Sequence, residues 1–125
     1  MGEPIRTYRD LKAWQHAFQA AVVLYRAEAK FPREERYALG AQLRRAVISI
    51  SSNIAEGYGR GTTKDYIRFL RMARGSLCET DNQLRLALEL CLLERAVFEE
   101  LMEILGHCER TLAGLIRSLE EHADA

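Results

Sequence analysis

Three groups of residues in this 125-residue chain have types and spacings that could do chemistry. The first is a polar stripe within QLRRAVISISSNIAEGYGR, residues Gln42–Arg60: Gln42, Arg45, Ser49, Ser52, Asn53 and Glu56 recur along one helix. Ser and Asn are poor helix-interior residues because their side chains compete for backbone hydrogen bonds, so something other than helix propensity selects them. They could form a hydrogen-bonded network between packed helices, with Glu56 and Arg45 paired and Ser76 or Glu79 joining from the next helix. They could instead form a functional surface. The structural reading is the stronger, and it makes Gln42, Ser49, Asn53, Glu56, Ser76 and Glu79 a register-fixing network.

The second group is cationic. Lys64, Arg68 and Arg71 share one helix stripe, Arg60 precedes them, Arg74 flanks them, and Arg33, Arg36, Arg44 and Arg45 lie in the preceding helix and its entry. Guanidinium groups suit bidentate contact with phosphate, and such a stripe tracks a nucleic-acid backbone without reading bases. Arg44, Arg45, Arg60, Lys64, Arg68 and Arg71 are therefore the candidate nucleic-acid contacts, against the plainer reading of a solvated helix face.

The third group, thiols and imidazoles, offers little. No Ser stands in a nucleophile-elbow context, and His107 and Cys108 are adjacent in a helix and so point apart. None of His16, His107 and His122 has Glu three residues before it, which excludes the di-iron carboxylate pattern. Cys91 and Cys108 fall on apolar seams and read as inert core thiols. The expectation is no catalytic residue, no metal, no cofactor and no enzyme activity.

The elements that must position these groups are helical. Segments at about 10–30, 36–58, 63–91 and 95–120 carry apolar residues at three- and four-residue steps. Leu11, Trp14, Phe18, Ala21 and Tyr25 make the apolar face of the first, which Phe31-Pro32 ends. Leu39, Leu43, Val47, Ile50 and Ile54 make that of the second, and Gly57, Gly59 and Gly61 can stop it in left-handed conformations. Tyr66, Leu70, Ala73, Leu77, Thr80, Leu84, Leu88 and Cys91 form a near-heptad seam in the third. Phe98, Leu101, Leu105, Cys108, Leu112, Leu115 and Leu119 match it in the fourth. The fold expected is all-α, one domain over 1–125, an antiparallel up-down four-helix bundle.

Leu86 and Leu90 lie on the far side of the third helix from its seam, together with Gly75. A mid-helix glycine costs about 1 kcal/mol relative to alanine, which a close approach by another backbone can explain. Gly75, Leu86 and Leu90 are accordingly the candidate subunit interface, in preference to scattered surface apolar residues.

Zero net charge hides a division. Residues 1–75 hold 14 Lys/Arg against 7 Asp/Glu, and residues 76–125 hold 4 against 11. The asymmetry fits an anionic partner, self-association, or neutralisation within the bundle. No apolar run approaches the ~20 residues of a membrane span. Three unpaired-looking cysteines and the lack of an apolar stretch in MGEPIRTYRD fit a cytoplasmic protein with reduced thiols.

The chain resembles the four-helix bundle proteins encoded in intervening sequences of bacterial 23S ribosomal RNA. The resemblance rests on Tyr8–Trp14 (YRDLKAW), Phe31-Pro32 with Glu35, Leu39, Gln42–Ala46 (QLRRA), Ser49-Ile50 and Asn53–Gly57 (NIAEG). It continues through Gly59-Arg60, Ala73, Gly75-Ser76, Glu79 and Gln83-Leu84. It implies homopentamers, hence a ring-like oligomer. The chain is also similar to the accessory variability proteins of diversity-generating retroelements, which implies a basic surface for RNA, a ribonucleoprotein or a reverse transcriptase. It departs from the family pattern at Thr80, Asp81 and Asn82, and in being neutral overall. The resulting expectation is a non-enzymatic, homo-oligomeric RNA- or ribonucleoprotein-binding accessory protein. The competing one is a structural protein–protein adaptor, such as an accessory subunit of a reverse transcriptase.

Overall fold

Thr7 starts the ordered succession of helices with a capping box. Its hydroxyl accepts from Arg9 N, while Asp10 Oδ2 accepts from Thr7 N at 3.1 Å and from Arg6 N at 2.8 Å. Those backbone bonds hold the Asp10 carboxyl below the usual carboxylate range. In the computed structural model, which describes residues 4–123, a 3-10 turn at Tyr8–Asp10 leads into α1, Lys12–Glu28. Pro32 then starts a single turn, α2, Arg33–Arg36, before α3, Leu39–Tyr58. Thr62 caps α4, Thr63–Glu89, by accepting from Asp65 N at 3.1 Å, and α5 runs Arg95–Ala123.

The four long helices form an antiparallel up-down bundle. α3 packs on α1 and α4, and α5 packs on α4 and α1, closing the ring of neighbours. The direction is visible in the cross-links. Glu28 at the end of α1 meets Arg44 near the start of α3, and Arg71 early in α4 meets Glu120 late in α5. Leu24, Leu43, Val47, Ile50, Ile54, Leu70, Leu84, Leu101, Leu105 and Leu112 are fully buried between them.

The face of α1 differs from the expected one. Ala13, Ala17, Ala20 and Leu24 are buried, whereas Phe18 is 50% and Tyr25 39% exposed. Both stripes have helical period, but only the alanines let α1 approach its neighbours closely, and the aromatics are left on the flank. There Tyr8, Trp14 and Phe18 pack on one another, with ring centroids 5.3 and 4.7 Å apart.

The ends of α3 and α4 also differ. No glycine among the described residues has a positive φ, so Gly57, Gly59 and Gly61 do not stop α3 by left-handed turns. Gly57 serves close approach instead: a Cβ there would stand 2.8 Å from Phe69 Cβ of α4. Cys91, expected on the core seam, is exposed at φ 61. It ends α4 in a Schellman motif, with Cys91 N donating to Leu88 O at 3.0 Å and Leu92 N to Ala87 O at 2.9 Å. Thr80, at a departure from the family pattern, is buried, and its hydroxyl donates to Ser76 O at 2.8 Å.

Candidate functional site

The six candidate phosphate contacts do not form one surface. Arg44 and Arg45 stand near the start of α3, and Arg60, Lys64, Arg68 and Arg71 gather where α3 turns into α4. Thirteen residues of helix, about 20 Å, run from Arg45 to the end of α3 before Arg60.

At the α3–α4 corner, Asp65 holds two guanidinium groups: Arg68 Nε donates to Oδ1 at 3.2 Å and Arg60 Nε to Oδ2 at 3.3 Å. Both cations also lie over the Phe69 ring, 4.6 and 5.0 Å from its centroid. Hydrogen bonds from Arg68 and then Arg60 keep the Asp65 carboxyl below its ordinary range. Arg60 further reaches Glu56 at 3.8 Å, and Arg71 binds Glu120 of α5 at 3.1 Å. Lys64 has no ion-pair partner among the described residues and lines an open groove with Arg68, Arg71, Ile67 and Met72. The Tyr58 and Tyr66 rings meet edge to face at 6.2 Å beneath the corner, and burial pushes the Tyr66 hydroxyl up to about 12. Most of the expected cationic stripe is therefore held by carboxylates, and the charge division of the sequence is partly neutralised across α4 and α5.

The expected polar network contracts to three residues. Ser76 donates to Ser49 Oγ at 2.9 Å, and Asn53 Nδ2 donates to Ser49 Oγ at 3.0 Å and Ser49 O at 2.8 Å. This trio joins α3 to α4 at mid-height. Gln42, Glu56 and Glu79 are exposed, and Glu79 only accepts from Gln83. Arg45 and Glu56 do not pair; eleven residues separate them along α3, about three helical turns.

The charge cluster that sequence reasoning missed lies at the other end of α3. Glu28 is 1% exposed, and its Oε1 accepts from Arg44 Nη1 and from Arg36 Nε, the latter at 3.2 Å. Arg44 Nη2 also donates to Arg36 O at 3.3 Å. Glu28 Oε2 is buried without a hydrogen-bond partner. Arg44 is thus a structural ion-pair partner first. A signal was present in the sequence: Glu28 continues the alanine stripe, four residues after Leu24.

Gly75, Leu86 and Leu90 all face outward from α4. Leu86 is 47% and Leu90 54% exposed, and nothing lies within 4 Å of a Cβ built on Gly75. On α1 and α3, Tyr25, Ala41, Ile48 and Ser52 line a shallow groove beside Arg45. Of the thiols, Cys108 is buried, and burial pushes its pKa up to about 12. His16 stacks on His107 with centroids 5.4 Å apart, and Arg110 is 2.9 Å from His107 Nδ1. Among the described residues, no group of His, Cys, Asp and Glu could hold a metal ion, and no helix is long and apolar enough to cross a membrane.

Fold and surface together define an antiparallel four-helix bundle with exposed leucines at the end of α4 and a cationic corner. The chain belongs to the 23S rRNA-intervening sequence protein family, whose sequence profile matches residues 9–114. Among solved structures it is similar to a protein of unknown function from the S23 ribosomal protein family of Bacteroides thetaiotaomicron. That similarity has TM-score 0.77 and 20% identity, covering 83% of this chain and 97% of the other. No curated protein matches the chain.

Proposed function

We propose that this protein is a non-enzymatic accessory module that associates with copies of itself and contacts RNA or a ribonucleoprotein. One observation carries the reading: the outward face of α4 exposes cations at one end and the large apolar side chains Leu86 and Leu90 at the other. It carries Lys64, Arg68 and Arg71, of which Lys64 alone has no carboxylate partner among the described residues, and it exposes Met72, Gly75, Leu86 and Leu90 with Glu79 and Asn82 between them. The Leu86 and Leu90 end suits a second subunit, in the homopentameric ring that the family resemblance implies, and the cationic end suits phosphate. The family's connection with 23S rRNA favours an RNA partner, and a thiol held at about 12, as in Cys108, is a poor nucleophile at neutral pH.

The test is binding of a labelled structured RNA, followed by fluorescence anisotropy at two salt concentrations. Affinity should fall steeply with salt and be lost when Lys64, Arg68 and Arg71 are reversed to Glu. Unchanged affinity in that triple variant overturns the RNA assignment. For the assembly, Leu86→Arg or Leu90→Arg should release monomers in light scattering, and a monomeric wild type refutes it.

The groove flanked by Tyr25 and Ile48 favours a second reading, a protein–protein adaptor such as a reverse-transcriptase accessory subunit. In that case captured partners survive nuclease treatment, and Ile48→Glu, not the α4 charge reversal, releases them.

A further inference from the structure

The end of α1, the single turn α2 and the start of α3 surround an open cavity of about 520 Å³, lined by Ala29, Phe31, Arg33, Arg36, Tyr37 and Arg44. We propose that this cavity binds a 5′-phosphorylated nucleoside, its phosphate on the three arginines and its base on the Tyr37 ring. The volume is within the range of small-molecule sites, about 300–1,000 Å³. The site lies at the opposite end of α3 from the α3–α4 corner and does not rest on RNA binding there.

The donor count supports the phosphate. A guanidinium has five N–H groups. Glu28 takes Arg36 through Nε and Arg44 through Nη1, and Arg44 Nη2 is used on the Arg36 carbonyl. Both terminal nitrogens of Arg36, and the whole Arg33 guanidinium, have no protein acceptor among the described residues. Glu28 therefore orients Arg36 and Arg44 and leaves both terminal nitrogens of Arg36 unused, as preorganised phosphate recognition requires.

The charges also match. Three guanidinium groups against the single buried carboxylate of Glu28 leave a formal surplus of two positive charges. Glu34 and Glu35 belong to the same turn but do not line the cavity. A phosphate monoester carries about −1.5 to −2 at neutral pH, whereas an internal phosphodiester carries one charge. Phe31, 4% exposed, gives an apolar floor, and Tyr37, 76% exposed, offers an unoccupied ring face at the rim. Aromatic stacking of this kind is tolerant of base identity, so the class of ligand is set by the phosphate.

Calorimetric titration of the whole chain with adenosine 5′-monophosphate, adenosine and inorganic phosphate tests the site. The monophosphate should bind saturably and adenosine at least about tenfold more weakly, the scale of a lost charge-assisted contact. Arg33 and Tyr37 are exposed, so their substitution leaves the core intact. Arg33→Ala should cost about tenfold or more in affinity for the monophosphate. Tyr37→Ala should weaken the monophosphate by a similar factor and leave inorganic phosphate unchanged. Two short oligoribonucleotides differing only in the 5′-phosphate separate the sources. Preference for the phosphorylated strand identifies a strand end, and tighter binding of the free monophosphate identifies a mononucleotide. No heat with the monophosphate, equal affinity for adenosine, or no effect of Arg33→Ala overturns the proposal. So does loss of monophosphate binding in the Lys64, Arg68 and Arg71 reversal variant, because that places the ligand at the other end of the bundle.

Discussion

Gly40 of α3 lies directly against the carboxylate of Glu28 in α1: a methyl group on Gly40 would overlap Glu28 Oε1 and stand 3.0 Å from Glu35 O. The missing side chain is what lets α1, α2 and α3 converge around one buried charge. Gly40→Ala should therefore destabilise by about 1–3 kcal/mol through overpacking, although alanine is the better helix former. In a Glu28→Ala background the penalty should shrink. Urea unfolding of the two single variants and the double variant measures this coupling, and additive effects would show that the contact carries no energy.

Cys91 occupies the left-handed position of the α4 Schellman motif, at φ 61. That conformation costs a residue with Cβ roughly 1–2 kcal/mol and costs glycine little. Cys91→Gly should raise stability by about 1 kcal/mol, and Cys91→Val should lower it. Thermal melting of both variants checks the order.

Gly75 faces open space in the single chain. Gly75→Ala should add about 1 kcal/mol of helix stability to a monomeric Leu86→Arg background. If backbones of neighbouring subunits meet there, the same change weakens the wild-type assembly, which light scattering at falling concentration will register. Stabilisation in both backgrounds would remove Gly75 from the interface.

Asp65 holds Arg60 and Arg68, so Asp65→Asn should free Arg68 and leave Arg60 with only its longer contact to Glu56. RNA affinity should rise several-fold and its salt dependence steepen, by a slope of about 0.7–0.9 for each new phosphate contact. An unchanged slope would mean that these arginines meet no phosphate.

His16 titrates below its ordinary value of 6.5 because burial disfavours the cation, with His107, Lys12 and Arg110 adding repulsion. The unfolded chain takes up this proton at a higher pH than the folded chain does. The stabilisation is thus complete above pH 6.5 and declines as pH falls from there toward the lower folded value. The urea midpoint should drop between pH 7.5 and 5.5, and His16→Gln should flatten that drop.

The bundle itself was legible because four long apolar stripes and two short connections leave one economical arrangement. The seam of α5 is the clearest case: Leu101, Leu105, Cys108 and Leu112 are buried as their spacing requires. The face of α1 was not legible, since two stripes share the helical period and hydrophobicity favours the aromatic one. Interhelical distance chose the alanines, and distance is not written in the composition of one helix. The candidate site suffered from the same blindness to partners. Arg44, Arg60, Arg68 and Arg71 look free in sequence, yet Glu28, Asp65 and Glu120 claim them across gaps of up to 49 residues. Ser49, Asn53 and Ser76 were recoverable because two of them lie four residues apart and the third faces them from the next helix.

The alanine stripe gives the molecule a soft side. Ala13, Ala17 and Ala20 bury few atoms each, while Leu43, Val47, Ile50 and Ile54 of α3 bury entire branched side chains. Residue for residue, the alanine stripe of α1 therefore buries less apolar surface than the inner face of α3. The half-buried Trp14 and the exposed Phe18 ride on that same helix, so a partner that grips them acts on the helix with the least bulky inner face.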